Sequence, residues 1–254
     1  MIPGRSPAID AVLFDIGGTL VDVRIDDATR RAAAEKVTAA LDQLGLGQPG
    51  DGIAARLARG LREFNRAREE SMREGTPRTL WLDFIWPEAA GTPAGEVLAA
   101  ASEDLTYLIE RYGKDKTLVP EAHAVLADLR AAGYRLGCVS NDISTRETRE
   151  LLSRYTLTDW FQVVVLSSEH GVRKPDPAIF RAALSALQVA AARTVHVGDT
   201  LSRDVLGAYR TGLLGSILIR SSLTERADRG VSDVQPTFAA SRLADVPALV
   251  RAWR

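Results

Sequence analysis

The sequence of 254 residues contains one cysteine, four lysines and almost no net charge. The single cysteine, Cys138, excludes an internal disulfide, and its apolar neighbours predict a buried structural thiol in a reducing compartment. A formal net charge of −1 excludes a global field that would attract nucleic acid or an anionic membrane. No apolar run approaches the ~20 residues that span a bilayer, and the N-terminus lacks the apolar core of a signal peptide. These absences predict a cytoplasmic protein without nucleic-acid or membrane partners.

The remaining composition is that of a globular protein, with 46% hydrophobic and 26% charged residues. Short apolar runs without internal proline predict five buried strands. They are residues 10–14, 134–139, 162–166, 194–197 and 216–219. Helical patterns separate the last four runs, and strands that alternate with helices form parallel βαβ units. We therefore predict an α/β fold with a doubly wound, Rossmann-like parallel sheet. The polar residues 226–236 predict a surface loop.

Residues from about 24 to 116 interrupt this alternation and show no convincing strand. Two amphipathic faces with helical spacing start near Ile53 and Val97, and glycines break the chain between helices. We predict an all-helical domain of residues 24–116, inserted into an α/β core of residues 1–23 and 117–254. Four residues of the insert are candidates for contact with a substrate, although its aromatic residues are more often core: Arg66, Arg68, Trp81 and Trp86.

Two carboxylates follow predicted strands directly. Asp15 ends the first apolar run and precedes Gly17 and Gly18, and Asp199 follows the fourth strand. Open α/β sheets place their chemistry at the carboxyl ends of strands. Two carboxylates on neighbouring strand ends repel each other unless a cation lies between them, and Mg²⁺ prefers such hard oxygen ligands. Taken alone, Asp15 would be better explained as a turn or N-cap residue, and the other segments reverse that preference.

Three further features fit the same edge of the sheet. Lys174 precedes the rigid turn Pro175 to Pro177, and a lysine held there can neutralise a transferring phosphoryl group. The hydroxyl of Ser140 and the backbone amide of Asn141 can bind phosphoryl oxygens, and Thr19 adds another hydroxyl. The alternatives are a solvated surface lysine and ordinary turn chemistry before a helix.

With these segments in this order, the chain resembles the haloacid dehalogenase superfamily. The four matching motifs are Asp15–Leu20, Val139–Asn141, Arg173–Asp176 and Val197–Thr200 with Asp204 beyond. The resemblance implies that Asp15 is a nucleophile forming an aspartyl phosphate and that Lys174 is the second catalytic residue. It also implies Mg²⁺ ligation by Asp15, the backbone carbonyl of Gly17 and Asp199, with Asp204 as a further ligand or a partner behind the ligands.

The resemblance covers about residues 10–25 and 117–220, and the helical insert matches the family's cap domain in position and helical content. In this family the cap usually covers the active site. The expected function is a Mg²⁺-dependent phosphohydrolase acting on a small phosphorylated metabolite, as a monomer or homodimer.

The chain departs from the phosphatase pattern at Gly17, where most members carry an aspartate that protonates the leaving oxygen. Such general acid–base help is worth about 10²–10⁴-fold in rate. Three explanations remain open. Another group, such as Asp142, His170 or a residue of the insert, substitutes for the aspartate. Alternatively, the substrate has a good leaving group, or the protein is a catalytically silent phosphate-binding or regulatory member of the family.

Two sibling chemistries are less favoured by the residues. Dehalogenases of the family lack the pair Gly198 and Asp199. Phosphonatases use a cap lysine, and Lys36, the only lysine well inside the insert, occupies a position predicted to be an exposed helix surface. His196 lies inside a predicted strand and is interpreted as a satisfied core residue.

Overall fold

The computed structural model describes residues 9–47, 49–221, 228, 231 and 233–253. Residues 1–8, on which the absence of a signal core depended, lie outside this description, as do residues 226, 227, 229, 230 and 232 of the predicted surface loop. The chain forms two compact units. One comprises the residues up to Val23, Lys116–Asn141 and the residues from Leu152 onward, and the other comprises Arg24–Asp115 and Asp142–Leu151.

Eight strands are present in the described residues. They are β1 (Ala11–Phe14), β2 (Val21–Arg24), β3 (Asp115–Leu118), β4 (Arg135–Ser140), β5 (Val163–Leu166), β6 (Thr194–Gly198), β7 (Gly215–Ile219) and β8 (Phe238–Ala240). Six form one sheet in the order β5-β4-β1-β6-β7-β8, and every neighbouring pair is parallel. The predicted doubly wound parallel sheet is therefore confirmed.

The three strands absent from the sequence-based prediction are short and carry weak patterns. β2 and β3 pair with each other in a separate two-stranded sheet, and their polar residues prevent the continuous apolar run that marks a buried strand. β8 has three residues at the edge of the large sheet. Strands of this kind are defined by their pairing partners more than by their own composition.

The helices that flank or follow these strands have the following bounds: α1 (Asp27–Gln43), α2 (Ile53–Ser71), α3 (Pro77–Thr79), α4 (Pro93–Tyr112), α5 (Ala122–Ala131), α6 (Thr145–Arg154), α7 (Ser167–His170), α8 (Pro177–Leu187), α9 (Leu206–Thr211) and α10 (Val246–Ala252). Leu80–Ile85 and Leu201–Val205 are π-helical. Single 3₁₀ turns occupy Pro87–Ala89, Thr158–Trp160, Ala191–Arg193 and Leu243–Asp245. Across the described residues, no helix has both the length and the apolar character to cross a bilayer.

The register of the sheet brings three strand ends to one edge. β1 is completely buried and pairs with β4 and β6, so that Phe14 is opposite both Cys138 and Val197. Cys138 is fully buried, as predicted. Because all three strands run in the same direction, the residues that follow them lie at a common carboxyl edge. Asp15 and Asp199 are among these residues.

The helical unit has a core of its own. Trp81 is completely buried in it, and its indole Nε1 donates to Thr106 Oγ1 at 3.1 Å. Buried Arg68 forms an ion pair with Glu74, whereas Arg66 is exposed. Two of the four residues predicted to contact substrate, Trp81 and Arg68, therefore use their polar groups in contacts within the helical unit.

Two other positions in the helical unit bear on the sequence-based predictions. Lys36 is exposed on α1, as expected. Residues 142–151 group with this unit, whereas the sequence placed them in the α/β core. The reason is that Ile143 is buried in the helical core and that Tyr107 Oη donates to Glu150 at 2.7 Å.

Candidate active site

Asp15 is held at the end of β1 by the sheet itself. Its backbone N–H donates to the Val197 carbonyl at 2.9 Å, which extends the pairing of β1 with β6 by one residue. The side chain is buried, with 7% of the residue exposed. Asp199 follows β6 and is also buried. Carboxylate oxygens of Asp15, Asp199 and Asp204 all lie within 4.8 Å of one another. This cluster could hold a metal ion.

Lys174 reaches this cluster from the turn before α8. Its ammonium Nζ lies 2.7 Å from Asp15 Oδ1 and 2.7 Å from Asp204 Oδ1, and the side chain is 2% exposed. The Asn141 side chain holds the Lys174 backbone, because its Oδ1 accepts from Lys174 N at 2.8 Å and its Nδ2 donates to the Lys174 carbonyl at 3.0 Å. The sequence analysis predicted a role only for the backbone amide of Asn141. The structure adds a role for its side chain, which positions Lys174.

Asp204 is saturated with hydrogen-bond donors. Its Oδ1 accepts from Lys174 Nζ and lies 2.8 Å from His196 Nε2. Its Oδ2 accepts from the backbone N and the Oγ1 of Thr200, at 3.0 and 2.6 Å. The sequence interpretation of His196 as a satisfied core residue is incomplete, since the imidazole is fully buried but belongs to this network. The available signal was a titratable side chain in an otherwise apolar strand.

Ser221 is the second residue that sequence reasoning missed. It follows β7 by two residues, and its hydroxyl donates to Asp199 Oδ2 at 2.6 Å. Nothing in its local sequence distinguishes it from an ordinary turn serine. Its place beside Asp199 results from the pairing of β6 with β7.

The cluster carries more negative than positive charge. Burial, followed by the charges of Asp204 and Asp15, raises the pKa of Asp199 to about 8. Burial also raises the pKa of Asp15, against the attraction of Lys174. At Asp204 burial is outweighed by Lys174 and the His196 hydrogen bond, so its pKa is lowered. Burial would lower the pKa of Lys174, but Asp15 and Asp204 outweigh it and raise that pKa, so the ammonium stays charged. Asp15 and Asp199 are therefore the two carboxyl groups whose ionised forms are disfavoured in the metal-free cluster.

The remaining residues predicted from the sequence differ in burial and in their place in the fold. Thr19 is 1% exposed, and its Oγ1 has no hydrogen-bond partner within the described chain. Ser140 is buried at the last position of β4, and Gly17 lies in the turn after β1. His170 is exposed at the end of α7.

Comparisons with known proteins identify the family. The profile of haloacid dehalogenase-like hydrolases matches residues 9–212. A glyceraldehyde 3-phosphate phosphatase of Methanopyrus kandleri is 29% identical, over 96% of this chain and 97% of that protein. A phosphoserine phosphatase of Thermus thermophilus is 30% identical, over 81% of this chain and 92% of that protein.

A similar fold is found among solved structures. The structure of a 2-haloacid dehalogenase from Pseudomonas syringae superposes with a TM-score of 0.67 at 23% identity, covering 97% of this chain and 100% of that chain. At this level of identity the likeness concerns the fold. The profile match spans most of the chain and includes the four sequence motifs that begin at Asp15, Val139, Arg173 and Val197. The chain therefore belongs to the haloacid dehalogenase-like hydrolase family.

Proposed function

We propose that this protein is a Mg²⁺-dependent phosphohydrolase that acts on a small phosphorylated metabolite through an aspartyl phosphate on Asp15. The observation that carries the proposal is the position of Lys174, whose ammonium lies 2.7 Å from the Asp15 carboxylate inside a buried cluster of three aspartates. A buried nucleophile beside a fixed cation suits a reaction in which negative charge accumulates on a transferring phosphoryl group.

In the proposed reaction an Asp15 oxygen attacks phosphorus, the bond from phosphorus to the leaving oxygen breaks, and water later hydrolyses the acyl phosphate. Lys174 neutralises charge on Asp15 and on the phosphoryl oxygens. The buried hydroxyl of Thr19, which has no partner in the described residues, is available to donate to a phosphoryl oxygen. Ser140 and the backbone amide of Asn141 supply further donors at the end of β4.

The chemistry of the donor set fits Mg²⁺. With Asp204 neutralised by Lys174, two buried carboxylates, Asp15 and Asp199, remain to face a divalent cation that prefers hard oxygen ligands. Asp204 is a poor direct ligand, because its oxygens already accept four hydrogen bonds. The proposed ligands are therefore Asp15, Asp199 and the Gly17 carbonyl, with Asp204 behind them. When bound, the metal would supply Lewis-acid stabilisation of the phosphoryl oxygens.

The substrate class follows from the relatives, whose names specify glyceraldehyde 3-phosphate and phosphoserine as their substrates. Both are small phosphate monoesters. The proposal assigns substrate choice to the helical segment of residues 24–116, because of its position in the chain after the first strands.

A second candidate is a silent phosphate-binding protein, and the glycine at position 17 favours it. Turnover of an aryl phosphate, measured as phosphate release with and without Mg²⁺, separates the two. Metal-dependent release supports the phosphohydrolase. Binding of Mg²⁺ and phosphate by calorimetry without any release would support the silent protein.

Mg²⁺ should raise the melting temperature, and the increase should grow with pH. The pKa of Asp199 rises from 3.8 to about 8 in the folded protein, so between these values the metal-free folded state binds more protons than the unfolded chain. Its stability therefore falls as pH rises through this window. Mg²⁺ takes the place of that proton. At about 100 times its dissociation constant it contributes about 2.7 kcal/mol, or about 5–10 °C for a chain of this size.

Melting curves at about pH 6 and pH 8 with Mg²⁺ or EDTA test this expectation. Asp199→Asn should lose both the Mg²⁺ increment and its pH dependence. Asp10→Asn, which changes an exposed aspartate paired with Arg193, should keep both. An equal increment in wild type and Asp199→Asn would remove Asp199 from the proposed metal site.

Gly18→Ala should impair the metal site without replacing any proposed ligand. Gly18 has φ of +79°, and a Cβ there would lie 2.1 Å from Asp199 Oδ2. The carboxylate must move, and we expect Mg²⁺ binding to weaken by about 10–100-fold. Gly212→Ala is the matched control, because φ is +73° and nothing lies within 4 Å of the added Cβ. Both variants bear a backbone cost of about 1–2 kcal/mol. Calorimetry should show weakened binding in Gly18→Ala alone, and equal affinities would contradict the proposal.

A further inference from the structure

We propose that His196 is a positioning residue of the reaction. Its Nε2–H fixes the Asp204 carboxylate, and Asp204 in turn fixes the Lys174 ammonium against Asp15. This inference rests on the proposed function. It starts from a continuous series of buried contacts in which His196 Nε2 lies 2.8 Å from Asp204 Oδ1, and Lys174 Nζ lies 2.7 Å from both Asp204 and Asp15.

The orientation of Asp204 depends on donors from separate elements. An ionised carboxylate offers about four acceptor positions, and all are used here. Thr200, four residues earlier in the chain, supplies the two donors to Oδ2. Oδ1 is shared by Lys174 and His196. His196 is therefore the donor on Oδ1 that belongs to the rigid sheet. Without it, Oδ1 would be oriented only by the lysine that it is meant to hold.

The imidazole is itself firmly placed. His196 lies in the middle of β6, opposite Leu13 of β1 and Ser216 of β7. Its ring meets the buried Phe180 ring edge-on, with centroids 5.0 Å apart and planes at 90°. A fully buried ring between two paired strands and an aromatic neighbour has little freedom to turn. It can therefore act as a fixed reference for Asp204.

Burying His196 costs folding free energy, and its contact with Asp204 gives a reason for a histidine at this position in spite of that cost. Its Nδ1 has no hydrogen-bond partner among the residues that the structure describes. A buried polar atom without a partner destabilises a fold. An apolar residue would pack in β6 without that cost. An apolar residue could not make the contact with Asp204. The advantage of histidine at this position therefore lies in the site and not in the packing of the strand.

The expected defect after loss of this contact is in the rate, because His196 is completely buried and has no surface to offer a substrate. A displacement of about 1 Å in a catalytic group can lower a rate by about 10²-fold. His196→Phe keeps an aromatic ring and removes the donor. We expect kcat for an aryl phosphate to fall about 10–100-fold, with KM changed by less than about threefold.

Two polar variants separate the hydrogen bond from packing. His196→Gln extends an amide N–H to about the position of Nε2 and should recover most of kcat, whereas His196→Asn is too short to reach Asp204 and should behave like His196→Phe. This pair also replaces His196→Phe if that variant does not fold. Val195→Ala removes buried volume from the next residue of the strand, whose side chain points to the opposite face of the sheet. It should lower the melting temperature and leave kcat unchanged.

A double-mutant cycle with Asp204→Leu, which removes both acceptor oxygens, tests whether His196 acts through Asp204. The decrease in kcat caused by His196→Phe should disappear in the Asp204→Leu background. Equal decreases in both backgrounds would overturn the proposal, as would His196→Gln and His196→Asn with the same kcat. If the wild-type protein hydrolyses nothing, the proposed function fails separately. In that case the urea unfolding midpoints of the metal-free wild type, the two single variants and the double variant test the contact between His196 and Asp204. Additive shifts would overturn the contact, and non-additive shifts would support it.

Discussion

Replacing Asp15 with asparagine is expected to reduce phosphate release to the uncatalysed background, by about 10⁴-fold or more. Enzymes accelerate such reactions by about 10⁶-fold or more, and the proposed route requires a bond from the Asp15 oxygen to phosphorus. Asparagine keeps the size of the side chain but is a poor nucleophile and carries no charge. The measurement is the Mg²⁺-dependent hydrolysis of an aryl phosphate by both proteins at equal concentration.

The fold should survive this substitution. Lys174 keeps its contact with Asp204 at 2.7 Å, and loss of the Asp15 charge relieves repulsion within the cluster. Asp10→Asn is a matched control, because Asp10 lies at the opposite end of β1 and pairs with Arg193 on the surface. It should retain full activity. Activity of Asp15→Asn close to that of the control, after rigorous purification, would exclude covalent catalysis by Asp15.

The second large effect concerns the leaving group. Since glycine at position 17 cannot donate a proton, hydrolysis should be much faster for aryl and acyl phosphates than for alkyl phosphates. General acid help is worth about 10²–10⁴-fold, and this range bounds the expected deficit for alkyl esters. Rates across a series of leaving groups of graded pKa, under conditions where chemistry is rate-limiting, measure the dependence directly.

Gly17→Asp should then restore hydrolysis of alkyl esters more than that of aryl esters. The structure allows the substitution, because a Cβ at Gly17 would lie 3.5 Å from Val23 Cγ2, an ordinary contact, and the residue does not have the positive φ of Gly18. Gly17→Asn is the matched control, because it adds nearly the same volume without an acid. It should leave the leaving-group dependence of the wild type unchanged.

A flat dependence in the wild type would contradict this expectation and would mean that another group already supplies the proton. Asp142→Asn and His170→Asn would then be the next variants, since both residues were alternatives on sequence grounds. His170 is exposed at the end of α7, and Asp142 belongs to the helical unit.

The local sequence pattern determined the sheet and the carboxyl-edge residues. Each of the five predicted strands is present to within one residue at either end. The strands of a parallel sheet covered by helices carry near-continuous apolar runs, and such runs were the signal used. Residues directly after such strands lie at the carboxyl edge in any parallel sheet. For that reason Asp15 and Asp199 could be associated before their distance was known, and the clustering of Asp15, Asp199 and Asp204 agrees with this association.

Only the tertiary structure decided how these side chains are held. Asn141 binds the backbone of Lys174, Ser221 binds Asp199, and His196 binds Asp204. The first two contacts join residues that are 33 and 22 positions apart, so they depend on the order of strands in the sheet, and no local pattern contains that order. The His196 contact spans 8 positions, but it requires the chain to turn back after β6 so that Asp204 meets the buried strand. Sequence identified the chemical groups through short-range periodicity, whereas their mutual support comes from long-range packing.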